Sequence, residues 1–216
     1  MYDFLRLQNV KATRAGFTLI EMMVAVALFS VVMVISVGVL ISVVNASRRA
    51  EAVQAVIDNL DFALDDMSRT IRTATTYHCM TDSSLNTIGI PNDCTDTPGS
   101  EIAVEPYGGD PSKPIDQVLY TFASKIACGS ENFVGGCIRK STDGGANFNT
   151  ITSPTIDIKK LSFYVIGSCP KSNNLRCTTD SLQPRVTMLL QGQITYQSSV
   201  IELKLETNMT QRLYDL

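Results

Sequence analysis

Hydrophobic positions near the N-terminal end of the chain form one long segment. Residues 17–44 contain a single ionisable side chain, Glu21, among 28 positions. Apolar runs longer than about 18 residues are typical of membrane helices. A helix of this length would span about 42 Å, which exceeds the roughly 30 Å hydrocarbon core of a bilayer. The segment therefore predicts the transmembrane half of a long N-terminal helix and excludes a free cytosolic enzyme.

The hydrophobic pattern then changes while the helical signal continues. Neither proline nor glycine occurs at positions 39–88, and apolar residues recur at alternating spacings of four and three. This spacing predicts an amphipathic half of the same helix over residues 45–76, so that one helix runs from Phe17 to about Thr75. A coiled coil is the alternative, but three heptads are short for one, and we expect packing on a sheet. The stripe consists of Val53, Ile57, Leu60, Leu64, Met67 and Ile71.

Residues 77–216 have the alternating pattern of a β-rich globular domain. The part from Cys79 to Pro114 is loop-rich, with one short strand at 102–105. Further strands are predicted at 118–123, 156–165, 185–190 and 201–206, with a turn between 191 and 199. The alternation changes phase at Lys159-Lys160, which indicates a β-bulge. The predicted fold class is α+β, a long N-terminal helix packed on an antiparallel β-sheet.

Charge limits the possible partners of the chain. The net charge is −3, and residues 1–16 carry +2 of their own, so the remaining 200 residues carry −5. Nucleic acid is therefore not expected as a partner, since phosphate binding needs a concentrated basic face. Cations that precede the apolar run predict a cytoplasmic N-terminus and an external C-terminal domain. Arg48 and Arg49 oppose this orientation, but a long translocated domain weighs little in the rule.

All six cysteines lie beyond the apolar run, as expected for disulfides in an oxidising compartment. Six cysteines allow 15 pairings. We favour three sequential pairs because each closes a short loop rich in Gly, Pro, Asn or Asp; buried free thiols are the alternative. A zinc site is not favoured, because no CxxC occurs and His78 is the one histidine. The favoured pairs are Cys79–Cys94, Cys128–Cys137 and Cys169–Cys177.

Catalytic motifs are lacking. The sequence contains no GxSxG, HExxH or phosphate-loop pattern. We expect His78 to make a contact at the end of the helix. The loops at 93–96 and 143–145 have acidic residues, but their spacing matches no EF-hand, and turn chemistry explains both. We therefore predict no catalytic residue, no cofactor and no metal site.

The junction before the apolar run reads Gly16-Phe17-Thr18-Leu19-Ile20-Glu21-Met22-Met23. It resembles the cleavage and methylation motif of type IV prepilins and type II secretion pseudopilins. The resemblance implies a pilin-like fold and a leader peptide at residues 1–16. It further implies cleavage by prepilin peptidase after Gly16 and N-methylation of Phe17. The leader is long, and Ala15 separates Arg14 from Gly16, where the family usually places the base adjacent; both departures bear on the rate of processing.

Glu21 is the residue to which the resemblance assigns assembly. In a bundle of apolar helices its carboxylate would lose water and need a partner or a proton. Cleavage would convert the amide nitrogen of Phe17 into an amine with a pKa of about 7.7–8.0, mostly cationic at neutral pH. We expect Glu21 to pair with that amine on an adjacent subunit. An interfacial glutamate without a special role is the alternative.

Two small residues in the apolar run are candidates for helix packing. Gly38 and Ser42 form a small-xxx-small pair, which permits close approach of helices. Gly38 also stands where many major pilins carry a helix-breaking proline. We expect it to mark a softer segment that can stretch during assembly.

The resemblance implies partners and a location. The partners are other pilin or pseudopilin subunits, prepilin peptidase, the inner-membrane assembly platform and, before assembly, membrane lipid. The chain is expected to be a single-pass inner-membrane protein that later joins a pilus or pseudopilus. Residues 201–212 are similar to the last strand of the J-type minor pseudopilins, which implies a minor subunit near the fibre tip. An uncut, membrane-anchored adhesive or binding domain and a secreted hydrolase are the alternatives.

Overall fold

The structure, a computed structural model, describes residues 16–80, 90–110, 113–129, 132–169, 182–196 and 199–212. The chain divides into two compact units, with the boundary after Arg49. In the first unit the described residues are almost entirely helical. The second unit contains the end of the same helix and all the described strands.

Helix α1 runs from Leu19 to Thr73. Its first turn is capped by Thr18, whose hydroxyl oxygen accepts a hydrogen bond of 3.3 Å from the backbone N–H of Glu21. Thr18 and Glu21 have the spacing of a capping box, in which the N-cap side chain satisfies an orphan donor. The long N-terminal helix predicted from the hydrophobic pattern is thus confirmed.

Hydrogen bonds from elsewhere in the fold satisfy the last turn of α1. The Tyr77 hydroxyl donates to the carbonyl of Ile71 at 2.7 Å, and the backbone N–H of Arg212 donates to the carbonyl of Arg72 at 2.8 Å. The final carbonyls of a helix have no partner within it and need such donors. The helix therefore ends where the chain turns into its first strand.

The buried face of α1 differs in part from the predicted stripe. Leu60, Met67 and Ile71 are buried as expected, and Val53 and Leu64 are partly buried. Ile57 is 39% exposed, so its placement in the core was wrong. At 3.6 residues per turn Ile57 lies at the margin of the stripe, whereas Val56 and Ala63 lie inside it and are buried.

Nine strands are described. They are β1 (Thr76–Met80), β2 (Cys94–Gly99), β3 (Glu101–Glu105), β4 (Val118–Ala123), β5 (Cys137–Ser141), β6 (Asn149–Thr150), β7 (Asp157–Ile166), β8 (Arg185–Tyr196) and β9 (Ser199–Thr210). They form two antiparallel sheets instead of one. The first sheet has the order β1-β3-β4-β5-β6, and the second has the order β2-β7-β8-β9. The α+β class with antiparallel sheets is confirmed.

Two features predicted for the strands, a bulge and an alternating pattern, are present. The pairing of β7 with β8 shifts register between Ile158 and Lys160, which is the predicted bulge. Along β9, half-buried Ile201, Leu203 and Leu205 alternate with exposed polar residues. Strands β1, β2, β5 and β6 were not predicted.

One hydrophobic core joins the second half of α1 to both sheets. Leu60 and Met67 of the helix belong to the same buried cluster as Tyr120 of β4 and Phe163 of β7. A polar contact at the edge of this cluster fixes the helix to the first sheet. There Asp66 accepts hydrogen bonds from the Tyr120 hydroxyl at 2.9 Å and from Lys140 at 2.8 Å.

Two disulfides reinforce the second unit. Cys79–Cys94 connects β1 to β2 and so links the two sheets, and Cys128–Cys137 fastens the short helix Lys125–Cys128 to β5. Both are pairs that the sequence favoured. The third favoured pair includes Cys177, which lies outside the described residues.

Candidate assembly site

The surface of the helix in the first unit is apolar and exposed. Every residue from 16 to 49 is exposed, and the exposed fraction of Phe17 is 78%. Among the described residues, α1 is the one helix long and apolar enough to cross a membrane, with a mean hydropathy of 2.9 over its best 18-residue window. An apolar surface of this extent marks a site of interaction with lipid or protein.

Two hydroxyl groups within this segment are satisfied by the helix itself. The hydroxyls of Ser30 and Ser36 donate to the carbonyls four residues earlier, at 2.8 and 2.7 Å. Such bonds let a hydroxyl lie in an apolar environment without another partner. The faces that carry Ser30 and Ser36 can therefore contact lipid or other helices, whereas Glu21 brings a charge to the start of the segment.

Glu21 lies in the first turn of α1, four residues after Phe17. Its backbone N–H donates a hydrogen bond to the Thr18 hydroxyl. No described residue forms an ion pair or hydrogen bond with its carboxylate. A negative charge at this end is favoured by the helix dipole. The carboxylate is thus positioned beside the start of the helix, close in sequence to the predicted cleavage site between Gly16 and Phe17.

Gly38 and Ser42 lie within a continuous stretch of α1. Apart from the neighbouring residues and the backbone of its own helix, no described atom comes within 4 Å of a side-chain carbon placed on Gly38. The surface around Gly38 is therefore open, and its role and that of Ser42 in helix packing remain predictions.

The other polar residues considered from the sequence have structural roles. His78 lies in β1 instead of at the helix end, and its Nδ1 contacts the carbonyl of Ile90. The Asp93 carboxylate accepts hydrogen bonds from the backbone N–H groups of Gly167 and Ser168 at 3.1 and 2.9 Å. The Asp93 carboxylate therefore links the segment before β2 to the segment after β7.

Asp143 closes a turn in the same way. Its carboxylate accepts hydrogen bonds from the Ser141 hydroxyl at 2.6 Å and from the Asn147 backbone N–H at 2.9 Å. These bonds stabilise the ionised form and lower the pKa of Asp143 to about 2. Gly144 and Gly145 follow with positive φ angles of 68° and 93°, as tight turns require. Within the described ranges, no group of three or more His, Cys, Asp or Glu side chains is arranged to hold a metal ion.

A buried acid in the second unit was missed by sequence reasoning. Glu105, the last residue of β3, has an exposed fraction of 0%, and neither carboxyl oxygen has a hydrogen-bond partner. Gln117 lies beside it and is 2% exposed. Nothing in the local sequence distinguishes Glu105 from the exposed acids of other strands, because the loop that covers it follows in the chain.

Comparison with known families identifies one matching region. Residues 11–37 match the family described as the prokaryotic N-terminal methylation motif. The match includes Gly16, Phe17 and Glu21 and ends just before Gly38. No curated protein and no solved structure matches the chain significantly. The matched motif supports the type IV pilin and pseudopilin family, whose subunits are structural, and together with the apolar helix it supports a membrane-anchored pilin.

Proposed function

Starting from this family relationship, we propose that the chain is a minor pilin or minor pseudopilin. It is a structural subunit of a type IV pilus or type II secretion pseudopilus and has no catalytic activity. It is cleaved after Gly16, N-methylated at Phe17 and assembled through its N-terminal helix near the fibre tip. The observation that carries the proposal is the exposed apolar segment at residues 17–44, whose one ionisable side chain, Glu21, lies in the first turn of α1.

The apolar segment of the helix lies first in the lipid bilayer and later in the fibre. Before assembly the exposed apolar surface is covered by lipid, residues 1–16 remain cytoplasmic and the C-terminal domain lies outside the inner membrane. After cleavage by prepilin peptidase, the assembly platform extracts the helix from lipid into a bundle of helices from other subunits. The apolar surface stays covered throughout, so the transfer exchanges one apolar environment for another.

Glu21 makes this transfer selective for processed subunits. An unpaired charge inside an apolar bundle costs several kcal/mol. The new amine of Phe17 on an adjacent subunit neutralises that charge, whereas the uncut chain offers only an amide at this position. Close packing around Gly38 and Ser42 supports the approach of the helices. Cleavage therefore acts as the chemical signal for assembly.

The placement near the tip rests on the second unit. Its last strand, β9, covers residues that resemble the ending of the J-type minor pseudopilins, and the same unit carries the disulfide-bonded loops. Minor subunits of the family begin assembly. We assign this chain the same role.

Mass spectrometry of the N-terminus of fibre-derived protein tests the processing step. We expect a chain that begins with methylated Phe17. Assembled material that retains Met1 would contradict the proposal and would favour an uncut, membrane-anchored adhesive or binding domain.

The variant Glu21→Ala tests the assembly step. It should insert in the membrane and be cut normally, but its incorporation into fibres should fall by about tenfold or more, since the lost pair is worth more than 1.4 kcal/mol. Glu51→Ala is the matched control, because it removes the same side chain from the same helix outside the apolar segment. Equal incorporation of Glu21→Ala and the control would show that the charge pair is unnecessary.

A further inference from the structure

Each sheet of the second unit ends in two edge strands. They are β1 and β6 in the first sheet and β2 and β9 in the second. An edge strand presents unpaired backbone N–H and C=O groups, with which another strand can pair. Proteins commonly block this pairing with a very short strand, a proline, a bulge or a covering segment. An edge that lacks all of these features is open to a further strand.

Three of the four edges have such a feature. Strand β6 has two residues. Strand β2 contains Pro98 and loses regular register with β7. The outer side of β1 is covered by Asn92, whose carbonyl accepts a hydrogen bond of 3.0 Å from the Cys79 N–H and whose N–H donates one of 3.1 Å to the Tyr77 carbonyl. These edges are therefore closed to a long incoming strand.

Strand β9 has none of these features. Its 12 residues pair with β8 in one unbroken register and include neither proline nor glycine. This length is about twice that of a usual strand. Among the described residues, none outside β8 forms a hydrogen bond with the backbone of β9. The far side of β9 is therefore an open edge.

The inner face of β9 favours an apolar neighbour. Ile201, Leu203 and Leu205 pack against the main core but are only half-buried. No charged side chain alternates with them on this face to repel a further strand. A strand with apolar residues at alternate positions would cover the surface that these side chains still expose.

The outer face of β9 has a row of exposed charges that alternate in sign. We call Glu202, Lys204 and Glu206 the charged row. The residues directly opposite them on β8 carry no charge; they are Gln193, Gln191 and Leu189. No described residue forms an ion pair with the charged row. Opposite charges attract across neighbouring strands and like charges repel, so the row favours a neighbour with the order cation, anion, cation.

We infer that the open edge of β9 binds an extended strand from a different pilin or pseudopilin subunit. That strand has apolar residues on one face and the order cation, anion, cation on the other. Backbone hydrogen bonds supply affinity, and pairs with the charged row supply specificity.

A second copy of β9 does not have the chemistry of this partner. The charged row contains two glutamates, which require two opposite cations, whereas β9 contains one lysine. No register between two copies therefore matches all three charges. Because the partner has another sequence, the contact does not repeat along the fibre, as expected for a subunit near its tip. The inference rests on the proposed function, to which it adds a contact of the globular unit.

Titration of the full-length chain in detergent micelles with labelled synthetic peptides tests the edge. The matched peptide is Thr-Val-Lys-Val-Glu-Val-Lys-Val-Thr, and the reversed peptide is Thr-Val-Glu-Val-Lys-Val-Glu-Val-Thr. Fluorescence anisotropy should show that the matched peptide binds at least about tenfold more tightly, because the reversed peptide turns three opposed pairs into like-charged pairs. Equal binding of the two peptides, or no binding of the matched one, would overturn the inference.

Reversal of the charged row separates edge pairing from general attraction between charges. The triple variant Glu202→Lys, Lys204→Glu and Glu206→Lys should exchange the preference, so that the reversed peptide binds at least about tenfold more tightly. Asp61→Lys is the matched control, because it makes the same change in net charge at an exposed position of α1. It should keep the preference for the matched peptide. An unchanged preference in the triple variant, or an exchanged one in the control, would overturn the inference.

Photo-crosslinking in fibres tests the identity of the partner. p-Benzoylphenylalanine in place of Asn208, an exposed residue of β9 next to the charged row, should crosslink to a strand of another subunit with the order cation, anion, cation, as identified by mass spectrometry. The same probe in place of Tyr107, which is 74% exposed in the same unit, is the control. Crosslinks from position 208 to lipid or to a second copy alone, or the same crosslinks from position 107, would overturn the inference.

The outcomes for the edge and for the proposed function can be distinguished. If fibres contain protein that begins with methylated Phe17 while the crosslinks from position 208 to another subunit are absent, the proposed function stands and the edge contact falls. If those crosslinks form in protein that retains Met1, the edge contact stands and the proposed processing falls.

Discussion

Glu105 offers the sharpest test of the energetics of the globular unit. The residue ends β3 with an exposed fraction of 0%, and both of its carboxyl oxygens lack hydrogen-bond partners among the described residues. The backbone of Gly109 in the following turn lies against the carboxyl group, so that even a methyl group at position 109 would collide with it. The site thus buries an acid without the partners that a buried charge requires.

Burial raises the pKa of Glu105 above its ordinary value. The polar amide of the Gln117 side chain opposes this rise because it favours the ionised form of Glu105. The negative charges of Asp116 and Asp110 add to the rise because they disfavour that form. Because the folded state holds this proton more tightly than the unfolded state, the sign of the pH dependence is fixed. The contribution of Glu105 to stability is fully present below the pKa of the unfolded chain and is lost as the pH rises through the folded pKa.

The variant Glu105→Gln keeps the shape of the side chain and removes its ionisation. A buried polar group without a partner costs about 1–3 kcal/mol, and more when it is charged. We therefore expect the variant to raise the free energy of unfolding by about 1–3 kcal/mol at about pH 8, and to leave it within about 0.5 kcal/mol of the parent at about pH 4. For a chain of this size, each 1 kcal/mol corresponds to about 2–4 °C in melting temperature.

Denaturant or thermal unfolding of the oxidised full-length chain in detergent, followed at several pH values, measures this effect. The chain has no tryptophan and 7 tyrosines, so near-ultraviolet circular dichroism of tyrosine reports on the core. Glu202→Gln is the control, because Glu202 is an exposed acid in the middle of β9. The reasoning would be refuted if Glu105→Gln stabilised the protein equally at both pH values, or if the control showed the same change at about pH 8.

Two further predictions concern contacts that hold the second unit together. Cys128→Ser should lower the free energy of unfolding by about 2–5 kcal/mol in oxidised protein. An unchanged melting temperature would contradict a stabilising role for that disulfide. Asp66→Asn should cost about 1.5–3 kcal/mol in a denaturant titration, because Asp66 pairs with half-buried Lys140. Asp65→Asn should cost less than about 0.5 kcal/mol, since its pair with Arg69 is exposed, and equal losses would contradict the argument.

Strands β7, β8 and β9, which the sequence predicted, have faces in different environments, whereas β3 and β4 were predicted although most of their residues are buried. In β9 the half-buried and exposed residues alternate, and in β7 the shift in alternation locates the bulge at Lys159-Lys160. Strand β1 was missed because it begins three residues after the last residue of α1 and all five of its residues are buried, so neither a turn signal nor an alternation separates it from the helix. Strand β2 contains Pro98 and loses regular register with β7 after Cys94, which gives the sequence of a loop.

How far each site could be predicted depends on whether its residues are close in the sequence or only in the fold. Gly16, Phe17 and Glu21 lie within six residues of the chain, so the motif could be read directly, and the Thr18 cap lies inside it. A surface groove lined by Phe122 of β4 and Lys160 of β7 instead depends on these strands meeting in the fold, and no local pattern joins the two residues. The burial of Glu105 likewise depends on the turn that follows it.

The apolar helix and the charged surfaces contribute different properties to assembly. Burial of apolar surface yields roughly 25 cal/mol per Å² but is non-directional, so the exposed helix of the first unit supplies affinity without fixing a position along the bundle. Charged pairs add less net affinity, yet a mismatch between like charges costs several kcal/mol. The charge of Glu21 at the start of the helix would thus select one register out of many that bury similar apolar area. Replacing Glu21 with a lysine should therefore disturb assembly before it disturbs membrane insertion, which depends on the apolar segment.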